Sequence, residues 1–176
     1  MINSVNKISI IGGPGTGKST LARNLGEELH LPVYHLDAIN HLENWEIRDK
    51  TERDKIILNK INEKKWVMDG TYKSTLETRL DCSDMIIFLN YSKIARLKGI
   101  FCRYIKTRGK YRQEIPGCKE RLKWKFVKLA INWNKINSDR IINLLEKNKN
   151  KKIFVFSNRK DLNKWYKTQF DKKIKI

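Results

Sequence analysis

Residues 12–19 run Gly12-Gly13-Pro14-Gly15-Thr16-Gly17-Lys18-Ser19, a complete G-x-x-x-x-G-K-[ST] phosphate-binding loop. Such a loop constrains the fold because it needs a strand before it and a helix after it. The glycines turn successive backbone N–H groups toward one point, and the helix N-terminus adds its positive dipole end there. Both neighbours are present. Lys7-Ile8-Ser9-Ile10-Ile11 is an apolar, β-branched run suited to a buried strand. From Lys18 to Leu29 the spacing places Leu21, Ala22, Leu25 and Leu29 on one helical face. In that setting Gly13, Pro14, Gly15, Thr16, Gly17 and Thr20 cradle phosphates, Lys18 reaches the β- and γ-phosphates, and the Ser19 hydroxyl is placed for Mg²⁺. The expected ligand is a nucleoside triphosphate, with ATP and Mg²⁺ as cofactors.

Strand candidates at 7–11, 32–36, 65–68, 85–89 and 153–156 alternate with helical stretches at about 18–29, 49–64, 92–107, 118–147 and 160–168. This alternation predicts an α/β P-loop NTPase fold, with a five-stranded parallel sheet covered by helices on both faces. No linker or repeat interrupts it, so residues 1–176 are expected to form one domain. Ligands of such sheets sit at the carboxyl ends of the strands, which directs attention to the residues after each one. Asp37 follows the second strand, Asp69, Gly70, Thr71 and Tyr72 the third, and Asn90 the fourth. Two carboxylates beside a phosphate loop can bind Mg²⁺ through water, accept a substrate hydroxyl proton or orient a substrate. Asp69 is assigned with Ser19 to the metal and Asp37 to the acceptor.

A second chemical signature lies at residues 101–112, where Arg103, Arg108 and Arg112 surround Gly109 at the end of a helix. The apolar side of that helix is expected to hold Ile94, Leu97, Phe101 and Ile105. Phosphoryl transfer spreads negative charge over equatorial oxygens, which arginine's planar fork stabilises. A loop carrying arginines over the phosphates, a lid at about 103–120, would also exclude water. The same stretch suits a solvated basic helix, or a nucleic-acid backbone with Tyr104, Tyr111 and Trp124 to stack on bases. Asn158-Arg159-Lys160-Asp161 after the last strand is close to the guanine-reading N-K-x-D, but its second residue differs. The D-x-x-G expected after the third strand is also absent, so a loop edging the nucleotide base is the better expectation.

The chain's formal charge of +19 is unevenly placed: residues 1–90 carry 12 Lys/Arg and 13 Asp/Glu, residues 91–176 carry 26 and 6. The basic half suits phosphates or nucleic acid, or simply solvates helix faces. Cys82, Cys102 and Cys118 lack a C-x-x-C spacing and read as reduced thiols of a cytoplasmic protein, and His30, His35 and His41 are too scattered to suggest a zinc site. No run approaches a membrane span or a leader segment. Trp124, Phe126, Leu129 and Trp133 are expected in the core, or as a dimer face, leaving monomer and homodimer both open.

These residues resemble the adenylate-kinase-like P-loop proteins known as DNA topology modulation proteins. The resemblance runs from the loop through 32–37 to Trp66-Val67-Met68-Asp69-Gly70-Thr71-Tyr72-Lys73-Ser74-Thr75-Leu76. It continues through Arg79-Leu80, the 86–89 strand, Arg108-Gly109-Lys110-Tyr111-Arg112 and Gly117-Cys118. It implies a nucleoside-monophosphate-kinase-like core with an arginine-bearing lid and an acceptor pocket near Asp37, Asp69, Tyr72 and Arg79. Two positions depart from that pattern: Asn90 stands where these proteins carry Asp, and residues 38–45 lack their Phe-Trp and Pro-Gly-Trp.

The readings that follow differ in class. The first is a kinase passing the γ-phosphate of ATP to a nucleotide, nucleoside or other small acceptor, with Lys18, Arg103, Arg108, Arg112 and Asp37 as its catalytic groups. The second is a nucleic-acid-associated ATPase or regulator affecting DNA topology, working through the basic half. A third is a P-loop protein that binds nucleotide without turnover.

Overall fold

The computed structural model of the chain describes residue 2 and residues 4–174. Strands β1 (Lys7–Gly12), β2 (Val33–His35), β3 (Trp66–Asp69), β4 (Met85–Leu89) and β5 (Lys152–Phe156) form one parallel sheet in the order β2-β3-β1-β4-β5. The registers Ile8↔Val67 and Ile10↔Ile87 put β1 at its centre. The central strands are buried on both faces, as parallel strands between helical layers must be, and they read as continuous apolar runs.

Among the described residues, seven α-helices accompany the strands: α1 (Lys18–Leu29), α2 (Leu36–Asn40), α3 (Lys50–Ile61), α4 (Leu76–Asp81), α5 (Lys93–Thr107), α6 (Trp124–Lys147) and, after β5, α7 (Arg159–Phe170). One core lies where Leu21, Ala22 and Leu25 of α1 and Leu162 and Tyr166 of α7 meet Ile8, Ile10 and Ile87. Another joins Leu76 and Leu80 of α4 and Trp133, Ile141 and Leu144 of α6 to Ile11, Ile86 and Phe88. A third packs Leu36, Ile57 and Ile61 on Trp66 and Met68. The expected five-stranded parallel sheet with helices on both faces is therefore present.

Several local expectations need correcting. The short helices α2 and α4 had no periodicity long enough to announce them. The helix expected over 118–147 begins only at Trp124, because residues 118–120 pair instead with 110–112: Arg112 N–H donates to Cys118 O at 2.9 Å and Glu120 N–H to Lys110 O at 2.9 Å. Trp133 is the core aromatic of α6, whereas Trp124 is 74% exposed and Leu129 lies largely outside. On α5 the expected inner face is turned outward, with Ile94 75% and Ile105 71% exposed. Arg96, Gly99 and Ile100 are buried in its place. The reason is contact with the phosphate loop: a Cβ at Gly99 would fall 2.0 Å from Gly15 O, so only this edge of α5 can approach the loop. Arg96, one turn earlier, donates from Nε to Ala130 O at 3.0 Å and from Nη1 to Asn134 Oδ1 at 2.6 Å, tying α5 to α6.

Candidate active site

The phosphate loop joins the carboxyl end of β1 to the first turn of α1. Gly17 caps that helix in a left-handed conformation (φ 91°) with no side-chain cap, so the first-turn N–H groups face the loop. Gly15 also has positive φ, 76°, a turn that any side chain would strain. Thr16 Oγ1 braces the loop by donating to Gly13 O at 2.9 Å. Lys18 Nζ folds back and donates to the same carbonyl at 2.9 Å. Burial pushes its amine below the usual lysine range; Asp37 and Asp69 oppose that shift, and Arg103 and Arg112 add to it.

Behind the loop, Asp69 at the end of β3 accepts from Ser19 Oγ at 2.7 Å and pairs with His35 Nδ1. Its side chain is only 5% exposed. Burial works against protonation of His35, yet the Asp69 hydrogen bond and charge outweigh it and raise the imidazole's pKa. Among the described residues no group of three or more His, Cys, Asp or Glu converges as a metal site. The Ser19 hydroxyl with a carboxylate behind it is instead the donor set that fits Mg²⁺ bound largely through water and phosphate oxygens.

In front of the loop opens a cavity of about 430 Å³. Its wall carries Lys18, Arg23, Arg103, Lys106, Lys110, Arg112 and Arg159 against the carboxylates Asp37, Glu114 and Glu120. A cleft with that excess of cations concentrates polyanions. Arg103 comes from the last turns of α5, and Arg112 from the hairpin 110–120, both within the region 103–120 expected to act as a lid. Glu120, with its side chain 2% exposed, sits between them, its Oε2 3.1 Å from Arg103 Nε and 3.9 Å from Arg112 Nε. Both Nε atoms are nonetheless buried without a hydrogen-bond partner among the described residues. Burial and the like charge of Arg112 depress the Arg103 pKa, with Glu120 opposing them. Two Nε–H groups in this condition are poised to donate to an anion's oxygens. The lid also reaches α1, where Arg23 Nη1 donates to Gln113 Oε1 at 2.8 Å and lies 3.7 Å from Glu114.

Asp37 lies on the cavity wall in the first turn of α2. Tyr72 Oη donates to its Oδ1 at 2.8 Å, and burial together with the Asp37 charge drives the Tyr72 phenol upward, keeping it a donor. The guanidinium of Arg53 stacks 4.9 Å from the Tyr72 ring and donates to Asn40 Oδ1 at 3.1 Å.

The residues singled out in the sequence therefore fall into two groups. Pro14, Gly15, Gly17, Lys18, Ser19, Thr20, Asp37, Arg103 and Arg112 line the cavity, while Asp69 and Tyr72 stand one layer behind it. Arg108 is exposed beyond the C-terminus of α5 and lines no part of the cavity. Arg79, expected near the acceptor, is fully buried; its Nη2 donates to Gly70 O at 2.6 Å, which makes it a brace for the turn after β3. Burial lowers its pKa to about 10, with Asp69 opposing. Asn90 is likewise absent from the wall. Glu120, Lys106, Lys110, Arg23 and Arg53 escaped sequence reasoning because they read as ordinary charges on helix faces and loops. Arg159 was visible only as the odd residue of the 158–161 motif, and it lines the cavity at the start of α7.

No family model matches the chain. No curated protein matches it either. Among solved structures, a shikimate kinase from Acinetobacter baumannii in complex with shikimate aligns over 99% of this chain and 98% of its own, with a TM-score of 0.61 at 17% identity. A gluconokinase from Sinorhizobium meliloti 1021 aligns over 78% and 97%, with a TM-score of 0.45 at 15% identity. The sheet order and the first of these likenesses put the chain in the P-loop NTPase fold that kinases use.

Proposed function

We propose that this chain is a P-loop phosphotransferase that moves the γ-phosphoryl group of ATP to a small acceptor held beside Asp37. One observation carries the reading: the phosphate loop, the arginines Arg103 and Arg112, and Asp37 line a single cavity. A simple nucleotide binder has no use for a carboxylate that shares a cavity with two arginines whose Nε atoms make no hydrogen bond among the described residues.

In this reading Lys18 leaves Gly13 O for the β- and γ-phosphate oxygens, and the α1 N-terminus receives the rest. Arg103 and Arg112 take up the charge that develops on the transferred group, each with an Nε free to donate. Asp37 accepts the acceptor's hydroxyl, and the Tyr72 hydroxyl holds the carboxylate in place. A bound Mg²⁺ would offset charge on the β- and γ-oxygens, with Ser19 as a ligand and Asp69 orienting it. The lid keeps water from competing with the acceptor. The acceptor is a nucleotide, nucleoside or other small hydroxylated molecule. Kinship with the DNA topology modulation proteins rests on motif resemblance, and a nucleic-acid partner on the charge of residues 91–176.

The test is ATP turnover with Mg²⁺ across nucleosides, nucleoside monophosphates and small hydroxylated metabolites, with Lys18→Ala as the blank. Acceptor-dependent ADP release that the variant loses, by roughly 10²-fold or more, supports the proposal. Hydrolysis indifferent to every acceptor but stimulated by DNA, with DNA affinity falling ~10³-fold or more between about 50 and 200 mM salt, would transfer the function to nucleic acid.

A further inference from the structure

Between α2 and α3 the chain makes a small hairpin, closed by an antiparallel bridge between His41 and Ile47. At its tip Asn44 (φ 55°) and Trp45 (φ 67°) are both left-handed. Asparagine tolerates that conformation; a bulky tryptophan does not adopt it without compensation. Three hydrogen bonds to this tip come from residues 117–119. Asn44 N–H donates to Gly117 O at 3.2 Å, Trp45 N–H to Cys118 Sγ at 3.3 Å, and Trp45 Nε1–H to Lys119 O at 2.7 Å. Gly117 is shaped for the meeting, with φ 72° and no room for a Cβ, which would fall 2.6 Å from Glu43 Cγ.

The indole then serves as a floor for cations. Arg112 lies 5.6 Å and Arg121 4.8 Å from its centroid. For Arg112, whose Nε has no hydrogen bond among the described residues, the ring and the distant Glu120 carboxylate are the contacts that set its direction. On the other side, the His41 ring meets Trp45 edge-on at 5.3 Å, and its Nδ1 is 3.0 Å from Asp37 O. One unbroken set of contacts therefore joins the backbone of Asp37, whose side chain lines the acceptor side, to the lid arginine.

We propose that Trp45 is a positioning residue that fastens the lid to the acceptor-side hairpin and aims Arg112 at the transferred phosphoryl group. The inference rests on the phosphotransferase reading and gives the hairpin 41–47 a part in it. An arginine displaced by about 1 Å from its productive place loses up to ~10²-fold in rate, while ground-state binding by the loop is untouched.

The test uses the full chain and its turnover of Mg·ATP with the most active acceptor of that panel, comparing Trp45→Ala, Trp45→Phe, Arg112→Ala and the Trp45→Ala/Arg112→Ala double variant. Trp45→Ala is expected to lower kcat roughly 10- to 100-fold with KM for ATP within about twofold. Trp45→Phe, which keeps a ring beneath Arg112 but loses the Nε1–H donor, should fall between it and the wild type. The double variant should be no slower than Arg112→Ala, since the two residues act as one unit. An unchanged kcat, a matched loss in kcat and ATP affinity, or additive effects in the double variant each overturn the proposal. Should Trp45→Ala fail to fold, the kcat-against-KM split of Trp45→Phe decides by the same criteria. A full-rate Arg112→Ala, or a wild type that turns over no ATP with water and with every acceptor of the panel, removes the phosphotransferase reading and this proposal with it. Failure of the Trp45 variants alone removes only the proposal.

Discussion

Replacing Gly99 with alanine sets two effects of opposite sign against each other. In a helix interior the exchange gains about 1 kcal/mol of backbone propensity. At Gly99, however, the new Cβ would fall 2.0 Å from Gly15 O and 2.9 Å from Gly15 C, closer than real Cβ atoms come to other heavy atoms. Relief takes a shift of about 1 Å, and both partners are backbone, so α5 or the phosphate loop must move as a body. Overpacking of this kind costs ~1–3 kcal/mol, which outweighs the propensity gain and leaves a net loss of up to about 2 kcal/mol. For a chain of 176 residues that is a fall in Tm of up to roughly 4–8 °C. Nucleotide handling should suffer more than stability, because Gly15 belongs to the loop and Arg103 lies one turn beyond Gly99. A displacement near 1 Å there is worth up to ~10²-fold in turnover. The assay is thermal unfolding beside a Mg·ATP titration and steady-state turnover, with Lys98→Ala on the exposed side of the same helix as the comparison. A Gly99→Ala protein with a raised Tm and undiminished ATP binding would refute the close apposition of α5 and the loop.

Three further outcomes are expected. Asp37→Asn keeps the Tyr72 contact but removes the charge facing the acceptor; acceptor-dependent kcat should drop ~10²–10⁴-fold with ATP affinity unchanged, and a loss confined to ATP affinity would count against an acceptor role. Glu120→Gln should cost about 1–3 kcal/mol without nucleotide, and Mg·ATP should restore more of it than in the wild type, because phosphate oxygens then partner Arg103 and Arg112; equal deficits with and without nucleotide in thermal shift would contradict this. Burial pushes the Tyr91 phenol up to about 12, and its hydroxyl has no partner among the described residues. An acid raised in the fold stabilises below its unfolded pKa near 10 and loses that contribution as pH climbs toward 12. Tyr91→Phe should therefore match or exceed wild-type stability at about pH 8 and resist alkali better by about 1 kcal/mol at about pH 11, read from urea midpoints.

Much of the fold was legible because each signal was local. The loop at 12–19 demanded β1 before it and α1 after it, and the apolar run at 85–89 became β4 with the same bounds. Helix α5 shows where locality fails. Its pattern of Ile94, Leu97, Phe101 and Ile105 named the wrong inner face, since the helix is placed by Gly99 against Gly15 O and by Arg96 against α6. The candidate site divides in the same way. Lys18, Ser19, Asp37 and Asp69 were readable because they sit in the loop or directly after strands, where a parallel sheet must gather its chemistry. Arg108 and Arg79 carried the right charge but not the right direction, one exposed past a helix end and one buried behind a turn.

The sequence alone determined that a phosphate-binding loop would stand between a strand and a helix, because those requirements lie within the consecutive residues 7–29. Only the tertiary structure decided which arginines face the loop, that Glu120 holds two of them, and that Trp45 meets the lid. Those meetings include one between residues 74 positions apart, and which side chains meet across such a distance depends on how the helices pack.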